Sequence, residues 1–308
     1  MIPYVVLPPL DLTSLGLGKL YWFAVFVTVG IILGVLLYDR VCMRGGDIDR
    51  KIARILPEAA VIGGFIGAHL VHVLLYHPEL MEEDPWVLVK FWAGISSIGG
   101  FFGGAIGVMA VLLYRKQKMV PYGDRGLFAL TVGWAFGRLG CATAHDHPGL
   151  KTDFFLAVAY PGGARHDLGL YEFLYTLILL GFLAWLTRKP WRTGAVMITV
   201  LLTYSPLRFV LDFLRATDRD FVDPRYLGLT PAQYGVAIMF AVGLYLVWAQ
   251  RKYGWAMQSP LWGPDASPLP PRGGAARAPE GEEPVEAPAE APTEGETDAQ
   301  AAEPRDDQ

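Results

Sequence analysis

Tyr204, Arg208, Asp212 and Arg215 stand four, four and three residues apart. On a helix those spacings put all four on one face. They fall at the end of an apolar run, 195–210, where a guanidinium has no water to solvate it, and an ionisable residue at such depth marks function. Arg208 and Asp212 can pair at i,i+4, but that pair accounts for only half of the stripe. The stripe therefore reads as one wall of a polar cavity. Arg138 is the second buried cation. It lies in Gly133-Trp134-Ala135-Phe136-Gly137-Arg138-Leu139-Gly140, where the glycines leave little side-chain cover around it. A planar guanidinium fork held there suits a phosphate group; the plainer alternative is an arginine that snorkels to the interface or pairs with Asp146 or Asp212.

Ala144-His145-Asp146-His147-Pro148 follows directly. Two histidines around an aspartate offer a metal set or an acid–base pair. In an extended strand His145 and His147 point apart, so no metal is assigned. A histidine is suited to take a proton from a thiol. The plainer alternative is a loop whose side chains cap helix ends. Arg165-His166 and then Glu172 open the next apolar run, and the expected partner of Glu172 is Arg165 or His166. Glycines cluster at Gly63, Gly64 and Gly67, and at Gly99, Gly100, Gly103, Gly104 and Gly107. Such spacing lets helix backbones approach closely in lipid. Ile98-Gly99-Gly100 is also a candidate thin wall beside a headgroup or acyl chain.

Seven apolar runs must position these groups: 20–38, 59–76, 95–114, 127–143, 168–187, 195–210 and 233–249. Most have the roughly 17–25 residues that cross a bilayer core. With 53% hydrophobic residues in 308, they predict an all-α polytopic membrane protein. Clusters such as Arg40, Arg44, Arg50, Lys51 and Arg54, or Arg115, Lys116, Lys118 and Arg125, follow the odd-numbered runs, whereas Glu79, Glu82, Glu83 and Asp84 follow the second. The positive-inside rule then predicts the N-terminus outside and the C-terminus in the cytoplasm. His69, His72, Arg138, Arg208 and Asp212 all fall toward the extracytoplasmic half. Roughly the last fifty residues are rich in Pro, Ala and Glu, a composition that cannot bury enough surface to order itself. The expected division is a membrane domain over 1–252 and a disordered cytoplasmic tail over 253–308. Nucleic-acid binding has no support. The two cysteines, Cys42 and Cys141, fall on opposite sides of the membrane, which argues against a disulfide.

In their order along the chain, the glycine-rich third run, Gly137-Arg138-Leu139-Gly140, Arg165-His166 with Leu170-Tyr171-Glu172, and Tyr204, Arg208, Asp212-Phe213 and Arg215 resemble the prolipoprotein diacylglyceryl transferase family. Ile2-Pro3-Tyr4 and the seven-span, N-out layout are similar too. The resemblance covers about residues 1–252. It implies a multi-pass enzyme of the bacterial inner membrane that needs no cofactor. Its partners are the lipid phosphatidylglycerol and the signal segment of a prolipoprotein. A diacylglyceryl group moves to the lipobox cysteine sulfur, and glycerol phosphate leaves. Carried over residue by residue, Arg138 and Arg208 hold the lipid phosphate with help from Arg215, while Tyr204, Glu172, Gly99 and Gly100 line the substrate site. His145, His166 or Asp146 serves as thiol base, and Asp212 and Glu172 orient the arginines. The chain departs from the family pattern at Ile98 (histidine in the family), His69 (arginine), Phe23 (tyrosine), Cys141 and Ala144 (asparagine), and Asp146 and Asp212 (glutamate). Isoleucine cannot transfer a proton, so a lipid-binding paralogue that is non-catalytic or has another specificity is the second reading.

Overall fold

The computed structural model describes residues 1–16, 18–42, 44, 48–90, 94–218, 222–262 and 266. Its helices are α1 Trp22–Cys42, α2 Arg50–Val71 (continued by a π-helical turn, His72–Tyr76), the short α3 Glu79–Glu83, α4 Ser97–Tyr114, α5 Met119–Ala144, α6 Leu168–Leu186, α7 Ala195–Leu211 and α8 Pro231–Tyr253. Seven helical stretches of 18 to 27 residues are apolar enough to cross a membrane. The protein is inside-out relative to a water-soluble fold. Ile31, Ile32, Ile62 and Ile178 are more than half exposed, while Arg125, Glu172 and Asp212 are buried. Lipid solvates the first group and cannot solvate the second.

Local chemistry sets the helix ends. Asp49 caps α2 by accepting from Lys51 N at 2.7 Å, and Asp167 caps α6 by accepting from Leu170 N at 2.9 Å. Thr230 and Gln233 form a reciprocal capping box on α8, with Pro231 at its first position. α5 begins at Met119, not near 127 as hydropathy alone suggests. Asp124 and Arg125 do not end the helix because their charges are met inside the protein. Asp124 accepts from Gly194 N (2.6 Å) and Met197 N (2.9 Å) at the start of α7, and Arg125 donates to Gln258 Oε1 (2.7 Å).

Small residues bring the helices together. A β-carbon at Gly67 would stand 2.6 Å from Gly99 O, and one at Gly30 would stand 2.8 Å from Gly133 O, so α2 meets α4 and α1 meets α5 backbone to backbone. Gly99 faces α2 at backbone distance, the close helix approach that the glycine spacing predicts, and Ile98 packs on Gly235 of α8. Gly100 faces Ala68 in looser contact.

Three two-stranded antiparallel ribbons lie at the helix ends: β1 Leu10–Asp11 with β2 Lys19–Leu20, β3 Pro148–Lys151 with β4 Arg165–Asp167, and β5 Trp191–Arg192 with β6 Met257–Gln258. β6 belongs to a strap that follows α8. Leu261 on that strap is buried with Trp191, Val196 and Leu183, and its carbonyl accepts from Arg44 Nη1. The packed chain thus runs to Trp262 and does not stop at 252. Residues 267–308, most of the expected tail, lie outside the described residues.

Candidate active site

Glu172, fully buried in the first turns of α6, is the centre of the site. Three side chains from two other helices converge on it. Tyr204 OH donates to Oε2 at 2.7 Å, Arg138 Nε pairs with Oε2 at 3.0 Å, and Arg208 Nε lies 3.5 Å from Oε1. Arg208 Nη1 donates to Asp212 Oδ1 at 2.7 Å, one helical turn on. Asp212 also accepts from Thr230 Oγ1, and Arg215 sits 3.9 Å from it while pairing with Asp223. Tyr204, Arg208 and Asp212 converge as their spacing predicts, whereas α7 ends at Leu211 and Arg215 follows in an extended conformation; α5, α6 and the start of α8 close the group into a cluster. Each unpaired buried ion would cost several kcal/mol, so the carboxylates are what permit two guanidiniums at this depth.

The expected partners of Glu172 are corrected. Arg165 turns away to Asp218 (2.9 Å) and Gly149 O (3.0 Å), and His166 Nδ1 meets Tyr171 OH at 3.0 Å. A fully buried carboxylate pairs with whatever cations face it across the bundle, which neighbours in sequence do not reveal.

The cluster is not saturated. Arg138 stacks its guanidinium over Trp134 at 4.4 Å. Trp134 Nε1 and Ser205 Oγ are buried without a hydrogen-bond partner among the described residues. Arg208 Nη2 makes no hydrogen bond or ion pair among them either. Buried polar atoms left over in a native fold call for an explanation, and a polar ligand is one. Tyr76, from the π-helical turn after α2, faces Arg208, Arg215, Asp212 and Asp223 and completes the surround. Tyr76 and Thr230 escaped sequence reading because neither carries charge or falls on the stripe.

A second group adjoins the first. α5 ends where His145 adopts a left-handed conformation, φ 53°. The chain reverses there instead of extending as a strand. Cys141, Asp146 and His147 are thereby gathered, with one thiol, carboxylate or imidazole atom from each within 4.8 Å of the others. Asp146 Oδ1 already bonds His147 Nδ1. Cys141 also faces the Arg138 guanidinium, and His147 acts electrostatically on Glu172. His145 stands apart from this group.

His145 and His166 are occupied elsewhere. His145 Nδ1 bonds Asp167 Oδ2 at 2.8 Å, its Nε2 meets Val5 O at 3.3 Å, and its ring stacks on Tyr4 at 4.3 Å. Tyr160 OH donates to the same Asp167 oxygen at 2.9 Å, and burial beside that carboxylate pushes the phenol well above its ordinary range. Burial lowers His166 from its ordinary value. His69 lies between two carbonyls, Gly94 O at 3.1 Å and Val87 O at 2.8 Å, and pins the loop before α4.

Known proteins resemble this chain over most of its length. A family profile described as prolipoprotein diacylglyceryl transferase matches residues 11–249. The chain is 30% identical over 256 residues to the phosphatidylglycerol–prolipoprotein diacylglyceryl transferase of Chromohalobacter salexigens, covering 80% of this chain and 94% of that protein. It is 31% identical over 263 residues to the protein of the same name from Pseudoalteromonas atlantica, covering 81% and 92%. The Bordetella parapertussis protein of that name is 30% identical over 259 residues, covering 79% and 97%. With the match spanning nearly all the helices that build the arginine cluster, this chain belongs to the prolipoprotein diacylglyceryl transferase family.

Proposed function

We propose that this protein transfers the diacylglyceryl group of phosphatidylglycerol to the lipobox cysteine of prolipoproteins in the bacterial inner membrane. The observation that carries the reading is the convergence of Arg138 and Arg208 on one carboxylate, Glu172, beside buried polar atoms without partners. The substrate thiolate attacks the glyceryl carbon that bears the phosphoester. A C–S bond forms, the C–O bond breaks, and glycerol phosphate leaves with the electron pair. The phosphate gains a negative charge in that step. Fixed guanidiniums in a water-poor site stabilise that charge without reorganising.

Arg138 and Arg208 hold the phosphate, Arg208 through its uncommitted Nη2. Glu172, Tyr204 and Asp212 fix both guanidiniums, and Arg215 supports from the rim through Asp212 and Asp223. The exposed apolar faces of the surrounding helices let a lipid approach sideways. The lysine- and arginine-rich helix ends belong in the cytoplasm, which puts the arginine cluster toward the outer leaflet, where a secreted prolipoprotein presents its cysteine.

The test is complementation of a strain depleted of its own transferase, followed by mass analysis of a reporter lipoprotein. The wild-type chain restores a diacylglyceryl adduct on the reporter, and Arg138→Ala and Arg208→Ala do not. An unmodified reporter with the folded wild-type chain present in the membrane removes the assignment.

A further inference from the structure

Transfer to sulfur requires that a thiol lose its proton, and none of the residues holding the phosphate can take it. Arginines are permanently charged, and Glu172 and Asp212 are committed to them. The chain has six histidines. His145 has carboxylate or carbonyl partners on both ring nitrogens, and so does His69 with its two carbonyls. His77 bonds Glu79, and His72 stacks on His77 at 4.6 Å beside the acidic α3. His166 is tied to Tyr171.

His147 differs from these in its partner and its place: its Nδ1 meets a carboxylate where that of His166 meets a phenol, and it stands with Cys141 beside the arginine cluster. Asp146 accepts from its Nδ1–H, which leaves the lone pair on Nε2, and Nε2 has no partner among the described residues. The backbone is fixed as well, because His147 O accepts from Leu168 N at the start of α6. The side chain is 22% exposed, so a substrate thiol can reach it and a proton can leave from it. The charged and titratable groups facing it are Asp146 on its own segment, Cys141 from α5 and Glu172 from α6, with Arg138 behind Cys141.

We propose that His147 is the base that deprotonates the substrate cysteine, with Asp146 as the residue that positions it. The inference rests on the transfer reaction proposed above and assigns its proton. The thiol S–H bond breaks, the proton passes to His147 Nε2, and the electron pair stays on sulfur to form the C–S bond. Asp146 holds the ring in the tautomer that leaves Nε2 unprotonated and stabilises the imidazolium that follows. A positioned base of this kind contributes about 10²–10⁴-fold to rate.

The experiment uses the full chain in phosphatidylglycerol vesicles with a lipobox reporter peptide, following kcat/KM against pH with and without added imidazole. His147→Ala should lower kcat by about 10²–10⁴-fold, abolish the acid limb of the profile, and recover part of its rate with imidazole. His147→Gln should stay equally slow, and both variants should bind phosphatidylglycerol as the wild type does. Asp146→Asn should shift the acid limb and reduce kcat more than it alters KM. A His147→Ala enzyme that keeps its rate and acid limb overturns the proposal and leaves the transfer reaction standing. So does one that is slow, deaf to imidazole and unchanged in the shape of its profile. A folded wild-type chain inert on the reporter overturns both.

Discussion

α5 carries a buried cluster of charge near each end, and the two are built on different principles. At its start, Asp124 accepts from two backbone amides of α7 and from Gln258 Nε2 at 3.2 Å, and Arg125 donates to Gln258 and to Pro121 O at 3.2 Å. At its end, Arg138 meets Glu172, which is shared with Arg208 and Tyr204, all through side chains. Backbone amides at a helix start cannot leave their carboxylate without undoing the helix end. Side chains on separate helices can keep their places while a ligand joins them. Buried charge answered by backbone belongs to the fold. Buried charge answered by charge from separate helices belongs to a site.

Substitutions can break or sharpen that contrast. The largest effect should come from Glu172→Ala, which strands the buried Arg138 guanidinium and leaves Arg208 to Asp212 alone: a loss of about 3–5 kcal/mol in stability together with all transfer. Denaturant unfolding of the purified protein reads the first and reporter lipidation the second. Arg138→Ala should cost about 10²–10³-fold in kcat, the usual size for one lost charge-stabilising donor, with thermal unfolding little changed. If Arg138→Ala instead melts the protein and spares the rate of the folded fraction, the two clusters are alike and the distinction fails. Asp124→Ala should do the opposite of Arg138→Ala. It leaves Gly194 N and Met197 N without their acceptor, destabilises by about 2 kcal/mol, and preserves kcat of the folded fraction.

Gly67→Ala tests the scaffold. Its new β-carbon would stand 2.6 Å from Gly99 O and 2.7 Å from Gly103 Cα, so α2 and α4 must separate. An overpacking cost of about 1–3 kcal/mol is expected in unfolding experiments. The smallest effect concerns pH. Burial places the folded pKa of His166 below its ordinary 6.5, so the unfolded chain binds the proton more readily. Its contribution is full above 6.5 and is lost as pH falls from there through the lower folded value. Wild type should melt at a lower temperature near about pH 5.5 than near about pH 7.5, and His166→Gln should narrow that difference. An unchanged difference would show that His166 does not contribute.

Hydropathy runs and charge spacing were enough to count the membrane helices and to single out Arg138, Tyr204, Arg208 and Asp212. The reason is that lipid imposes its demand residue by residue: a span must be apolar along its length, and any charge within it stands out. Tertiary contacts alone decided who pairs with whom. Glu172 joined Arg138 and Arg208 across the bundle instead of the nearer Arg165. Asp124 let α5 start earlier, and Leu261 anchored a strap that composition had assigned to the tail. His147 moved beside Cys141 because His145 closes the helix with a left-handed residue. Periodicity describes one helix at a time, whereas the partner of a buried ion comes from another helix, and its choice exists only once the helices have packed.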